Sequence, residues 1–321
     1  MCGLIKSKSL KSLLNSTIKK RESLISISDA MRVVNSVGDG CDGLIIDRYG
    51  SHVILYIYDL HWHPMVEAII DVLRQHFTIE QVVIKDRIKT ASSNAADVKS
   101  IVLDNTKPTT TTVTEYGLQF KVDSNEGLNA GLFLDMRANR RAIGLLTKGK
   151  RVLNCFAYTC AFGVHARSAG AREVVNVDLS RHYLTRGKEN YALNNLPVGQ
   201  GEFLCFDAVE FLTKAQKKQN LFDVIVIDPP SFARMGKKTF QVKRDLPALI
   251  GSALECLSPK GVLFVSTNCS TISYQQLEAM VVNNTLPSVK ISYQRVSQDI
   301  DFPSSNTFKE SYLVGLTVRI K

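Results

Sequence analysis

The strongest constraint in the 321-residue sequence is the alternation that begins near Leu118. Short apolar runs (QFKVD, RVLNCF, VVNVDLS, DVIVIDPP, GVLFVSTNCS) are separated by longer stretches with period-3.6 patterning, among them RHYLTRGKENYALNNL, DAVEFLTKAQKK, LPALIGSALECL and SYQQLEAMVVNNTL. Strands separated by helices of ten or more residues form crossover units, so the fold expected is α/β. Its sheet is mostly parallel and carries helices on both faces. In an open sheet of this kind, ligands bind beyond the carboxyl ends of the strands. The sequence turns polar at those points: Asn154 with the loop AYTCAFG, Asp178, Asp207 after GEFLCF, Asp228-Pro229-Pro230-Ser231-Phe232, and Ser266-Thr267-Asn268-Cys269-Ser270.

Upstream lies a smaller α/β module. RVVNSVGDGCDGLIIDRYG carries two glycine-centred turns and a strand, HVILYIYDL and QVVIKDR read as strands, and MVEAIIDVLRQHF reads as a helix. The polar, threonine-rich DNTKPTTTTVTEYG is the natural boundary, which gives a basic segment over 1–22, a small domain over 23–112 and a larger domain over 113–321. In the first segment Leu10, Leu13, Leu14 and Ile18 recur at helical spacing beside Lys6, Lys8, Lys11, Lys19, Lys20 and Arg21. Such a helix fits either contact with RNA phosphates or packing onto the next element. His61 and His63 could share a strand face, but no third ligand is apparent and no metal is expected.

Lys and Arg total 40 against 30 Asp and Glu, a net charge of +10. That surplus favours an acidic partner, nucleic acid ahead of a membrane surface. No stretch approaches the ~18 consecutive apolar residues of a membrane span, and the N-terminus has no signal-peptide core. The seven cysteines are scattered without a C-x-x-C pair. Reduced thiols and a cytoplasmic location are therefore the expectation. Cys155, Cys205 and Cys256 sit in apolar runs and read as buried thiols.

Asp178 follows Asn154 by 24 residues, where an acidic side chain can accept ribose hydroxyls; a helix cap is the structural alternative. Only Gly163 lies between Asn154 and Ala169, so the close backbone approach that a pyrophosphate needs is missing and a nicotinamide or flavin dinucleotide is disfavoured. A nucleoside without phosphates, such as S-adenosyl-L-methionine, makes a weaker demand on that loop.

Taken together, EGLNAGLFLDMRANRRAI, VLNCFAYTCAFGVHARSAGAREVVNVDLS, DVIVIDPPSFAR and STNCS resemble the class I, S-adenosylmethionine-dependent methyltransferases that make 5-methylcytosine in bacterial large-subunit ribosomal RNA. VVNSVGDGCDGLIIDRYG is similar to the small central domain of that family, and the likeness runs over roughly residues 25–321. The resemblance implies a Rossmann-like methyltransferase domain and an enzyme acting on RNA, most simply ribosomal. The family's N-terminal PUA-type domain is not expected here, so RNA docking would fall to the basic N-terminus and the small domain. The resemblance also implies that Asn154, Tyr158 and Thr159 line the methionine end of the cofactor, Asp178 the ribose and Asp207 the adenine amino group. Phe133, Asp135 and Arg137 would close the pocket. The family's loop reads A-Y-T-G, whereas this chain has Cys160, whose side chain would crowd the methionine moiety or require positive φ.

Carbon 5 of a pyrimidine is a poor nucleophile until a thiolate adds to carbon 6, which is covalent catalysis in two easier steps. Cys269, at a strand end with polar flanks, fits the thiol; Cys160 is the rival. Asp228 fits a contact to ring N3 or the exocyclic amine, and also borders the cofactor. Ser231 separates Pro230 from Phe232, unlike the aromatic directly after Pro-Pro in methylases of exocyclic amines. Pro229 and Pro230 stiffen the turn, and Phe232 either stacks on a flipped base or belongs to the core. Arg140, Arg141, Lys148, Lys150, Lys237, Lys238, Lys243 and Arg244 are the candidate phosphate contacts, with GKKTFQVKRD as a mobile basic loop. Guanine N7 or uracil carbon 5 as acceptor, and a non-catalytic RNA-binding assembly factor, are the alternatives. The sequence says nothing of oligomeric state.

Overall fold

The computed structural model describes residues 7–88, 99–127, 129–230, 232–235, 238–296, 298–303 and 313–321, with the backbone alone at 7, 8, 99, 232–235, 238 and 239. The chain forms two compact units, Met1–Asp135 with Asp299–Lys309, and Met136–Gln298 with Glu310–Lys321. The division falls at Asp135/Met136 instead of 112/113, and the physical reason lies in the threonine run. Thr110–Glu115 is a strand paired antiparallel with Leu118–Asp123. Threonine is β-branched and suits a pleated surface, so the run works as one arm of a hairpin and not as a linker.

The first unit opens with helices α1 (Ser7–Lys20) and α2 (Glu22–Ile25). Strands β1 (Ala30–Asn35), β2 (Leu44–Tyr49), β3 (His52–Ile57), β4 (Gln81–Asp86) and β5 (Lys99–Val102) form a sheet in chain order. Helix α3 (Val66–Arg74) makes the crossover that lets β3 and β4 pair in parallel. The hairpin strands are β6 (Thr110–Glu115) and β7 (Leu118–Asp123). Leu10, Leu14 and Ile18 of α1 join Ile69, Ile70 and Leu73 of α3 in one core with Val34, Leu44, Ile46 and Leu55 of the sheet. Burying an aliphatic side chain contributes roughly 1.5–3 kcal/mol, so α1 is part of this unit and not a separate segment. Arg21, counted among the basic residues of the first segment, is buried: its guanidinium pairs with Asp39 and donates to the carbonyls of Thr17 and Arg32. The segment after residue 298 returns here, where Asp301 accepts the Arg32 N–H and Phe302 lies under the Arg32 guanidinium. His61 and His63 sit in a 3-10 turn, Leu60–Met65, and not on a strand, each beside an aspartate, Asp59 and Asp86.

The second unit contains α4 (Arg137–Gly144), β8 (Arg151–Cys155), α5 (Ala161–Ser168), β9 (Glu173–Asp178), α6 (Arg181–Leu193), β10 (Phe203–Cys205), α7 (Ala208–Lys217) and β11 (Phe222–Ile227). It continues with β12 (Phe232–Met235), β13 (Lys238–Gln241), α8 (Val242–Glu255), β14 (Leu257–Thr267), α9 (Tyr274–Asn283), β15 (Ile291–Arg295) and β16 (Val314–Ile320). The sheet order is β10-β9-β8-β11-β14-β16-β15, with the first five parallel and β16 antiparallel to both neighbours. Alternate residues serve opposite faces. Leu153, Ile225, Ile227, Leu263 and Val265 pack with α7, α8 and α9, while Val152, Val224, Val226, Val262 and Phe264 pack with α4 and α5. Both faces are buried, which is why these strands read as unbroken apolar runs. The expected α/β Rossmann-like fold is present. Strand order reverses at β8, so the ends of β8 and β11 flank the switch point at which such sheets bind ligands.

Candidate active site

The loop after β8 has an unusual backbone. Phe156, Tyr158 and Cys160 all have positive φ (56°, 50° and 60°), three left-handed non-glycine residues within five. Strain of this kind persists where the surroundings over-determine it, commonly at binding sites. Here the Ala157 N–H donates to the Val177 carbonyl and the Tyr158 N–H to Asp178 Oδ2 at 2.9 Å, curling the loop over the end of β9. The Tyr158 ring meets Tyr183 edge-on, with centroids 4.4 Å apart.

Cys160 does require positive φ, as its departure from glycine implied. Its side chain, however, is buried against α6, where a Cβ on Gly187 would meet its Sγ at 2.4 Å. Gly187 supplies the space the sulfur fills. Burial and nearby Asp178 hold the Cys160 thiol well above its ordinary value, which removes it as a rival nucleophile.

Asp178 ends β9. Its Oδ1 accepts the Ser180 N–H at 2.8 Å and its Oδ2 accepts that of Tyr158. Ser180 caps α6, so Asp178 is not spent as the cap. Each carboxylate oxygen keeps a second lone pair, the acceptor capacity a ribose diol needs. Burial raises the Asp178 pKa, and the two backbone donors oppose that shift. This carboxylate, with a loop that has no glycine cradle for phosphates, fits the nucleoside end of S-adenosylmethionine. Asp207, by contrast, caps α7, with Oδ1 accepting the Glu210 N–H at 2.8 Å.

Asn154 and Thr159 are buried. Asn154 donates its amide to Asn176 Oδ1 at 2.9 Å, Asn176 donates to the Tyr191 hydroxyl at 3.2 Å, and the Thr159 carbonyl accepts from Asn190. Sequence reasoning passed over Asn176 and Tyr191; the signal available was an asparagine inside the apolar run VVNVD. Arg137 is buried at the start of the second unit, while Phe133 and Asp135 belong to the first.

At the other side of the switch point, Asp228 follows β11, and its Oδ1 accepts the buried Ser266 hydroxyl at 2.8 Å. β14 pairs with β11 up to Ile227–Val265, so Asp228 and the turn holding Cys269 leave adjoining strands. Cys269 is half-buried, its N–H donates to Thr267 Oγ1 at 3.1 Å, and its Sγ lies 3.2 Å from Thr271 Oγ1. The competing thiols differ. Cys41, Cys155 and Cys256 are buried, and burial pushes Cys41 up to about 12 and Cys256 up to about 11. Cys205 is exposed and not buried as its apolar run suggested, because β10 is the edge strand of the sheet.

Several expected contacts change. Arg140 is buried and cannot meet a surface phosphate without unpacking α4. Arg141, Lys148, Lys150 and Lys243 are exposed, and Arg244 is exposed but pairs with the adjacent Asp245. The region read as a mobile basic loop contains β13 and the first turn of α8, since β12 and β13 pair antiparallel. Ser231 and Lys237 lie outside the described residues, as do the side chains of Phe232 and Lys238. Pro229 is buried and Pro230 exposed. Among the described residues no group of three or more His, Cys, Asp or Glu could hold a metal ion, and no helix is long and apolar enough to cross a membrane.

The family model for S-adenosylmethionine-dependent methyltransferases matches residues 82–309. The chain belongs to that family. Ribosomal RNA large subunit methyltransferase I of Aeromonas hydrophila is 33% identical to this methyltransferase over 296 residues, 90% of the chain and 74% of the relative. Ribosomal RNA large subunit methyltransferase K/L of Shewanella oneidensis is 39% identical over 192 residues, 59% of the chain and 26% of the relative. The crystal structure of SMU.776 complexed with SAH superposes with a TM-score of 0.85 at 27% identity, over 98% of this chain and 81% of that one. The chain is therefore an S-adenosylmethionine-dependent enzyme of Rossmann-like fold.

Proposed function

We propose that this methyltransferase forms 5-methylcytosine in large-subunit ribosomal RNA, in the cytoplasm, through a covalent adduct of Cys269 with carbon 6 of the base. The observation that carries the reading is that the half-exposed Cys269 and Asp228 follow adjoining strands, while the other thiols of the second unit are buried or on its edge strand. The names of the relatives favour ribosomal RNA as substrate. Bound S-adenosylmethionine supplies an electrophilic methyl group on a sulfonium.

In this reading Asp178 accepts the ribose hydroxyls, the free oxygen of Asp207 takes the adenine amino group, and Asn154, Tyr158 and Thr159 border the methionine end. Arg137, at the start of the second unit, borders the site. Asp228, fixed by Ser266, contacts N3 or the exocyclic amine of cytosine. The Cys269 thiolate adds to carbon 6, carbon 5 takes the methyl, and loss of the carbon 5 proton with expulsion of the thiolate restores the ring. Pro229 and Pro230 border the base, Arg244 meets a phosphate, and the first unit adds to RNA docking.

RNA containing 5-fluorocytidine tests this, because fluorine cannot leave carbon 5 as a proton does. Wild type with cofactor is expected to form a covalent protein–RNA complex that Cys269→Ala does not form. A wild-type protein that methylates RNA without trapping, or a Cys269→Ala protein that still traps, overturns the assignment.

A further inference from the structure

The hydroxyl groups of the turn after β14 divide their work. Ser266 donates to Asp228, and Thr267 accepts the Cys269 N–H. The Ile272 N–H donates to the Cys269 carbonyl at 3.0 Å, closing a turn that folds residue 271 back toward 269. Thr271 Oγ1 thereby comes to 3.2 Å from the Cys269 sulfur, a contact in which either atom can donate. Once the thiol has lost its proton the ambiguity ends: only the Thr271 hydroxyl carries a hydrogen, so the contact is a hydrogen bond to a charged acceptor.

We propose that Thr271 is the positioning residue for Cys269, its hydroxyl donating to the sulfur in the thiolate form. Its role in methylation rests on Cys269 being the nucleophile. Its effect on the sulfur does not.

A hydrogen bond to a charged acceptor is roughly twice as strong as a neutral one. A thiolate held by such a bond is also a weaker nucleophile, so about threefold in rate is the expected effect. The test is iodoacetamide labelling of the full-length protein, resolved residue by residue by mass spectrometry, for wild type, Thr271→Val and Thr271→Ser. At neutral pH, Thr271→Val is expected to label Cys269 about threefold more slowly, with Cys205 unchanged in the same molecules, and Thr271→Ser is expected to match wild type. At a pH where the sulfur is fully ionised in every variant, the Val protein should label as fast or faster. A disturbed turn would not reverse with pH in this way. Equal labelling of Val and wild type at neutral pH, or a Ser protein as slow as Val, overturns the proposal. Slower labelling of the Val protein, together with undiminished methylation by both Thr271→Val and Cys269→Ala, upholds the contact and overturns the nucleophile reading alone.

Discussion

Cys160 and Gly187 form a matched pair. A left-handed non-glycine residue costs roughly 1–2 kcal/mol, and the sulfur recovers part of that by filling the space under α6. Gly187→Ala should destabilise the wild type by about 1–3 kcal/mol through overpacking. The same change in a Cys160→Gly background should cost under about 1 kcal/mol, which a double-mutant cycle by urea unfolding would read. Equal costs in both backgrounds would show that the two side chains do not meet. Asp178 carries a second residue-scale expectation. Ribose hydroxyls donate to the ionised carboxylate, so cofactor affinity should be lost as pH falls through a pKa raised above 3.8 by burial. In the unliganded fold the sign is opposite, and stability falls as pH rises through the same value, since ionisation is what burial disfavours. Titration calorimetry from pH 4 to 8 should show this slope in the wild type. Asp178→Asn should show a flat profile and about 10–100-fold weaker binding at pH 7.

At the scale of elements, α1 is held by its apolar stripe and by the buried Arg21–Asp39 pair, not by its lysines. Arg21→Met leaves Asp39 buried without its partner and should cost about 3–5 kcal/mol in denaturant unfolding. Replacing exposed Lys19 and Lys20 with Gln should change stability by under about 0.5 kcal/mol each. These elements also mark how far the sequence could be read. The parallel strands were legible because both of their faces are buried, and α1 because Leu10, Leu14 and Ile18 keep helical spacing. The threonine run was not, since composition signals polarity while β-branching decides geometry, and only the partner strand Leu118–Asp123 reveals which prevails. β15 escaped notice for a related reason: ISYQR is an edge strand with little buried surface, and its apolar signal is weak. The same limit applies in the site. Asp178 and Cys269 stand out by position at strand ends, whereas the Ser266–Asp228 and Thr271–Cys269 contacts depend on turn geometry that spacing alone does not specify.

For the whole molecule, a net charge of +10, with Arg141, Lys148, Lys150 and Lys243 among the exposed cations, favours a polyanionic partner. Binding to RNA should weaken by about tenfold or more between 50 and 200 mM salt if several phosphates are neutralised. An affinity constant across that range would contradict the phosphate account. The family match gives a methyltransferase; in the proposed reading, the turn after β14 chooses the acceptor atom. The most direct test of that choice is methylation of ribosomal RNA from a strain lacking this gene, read by nucleoside mass spectrometry with wild type and Cys269→Ala in parallel. The wild type is expected to yield 5-methylcytidine and the variant none. Another methylated nucleoside, such as 7-methylguanosine, or equal product from Cys269→Ala, would contradict it.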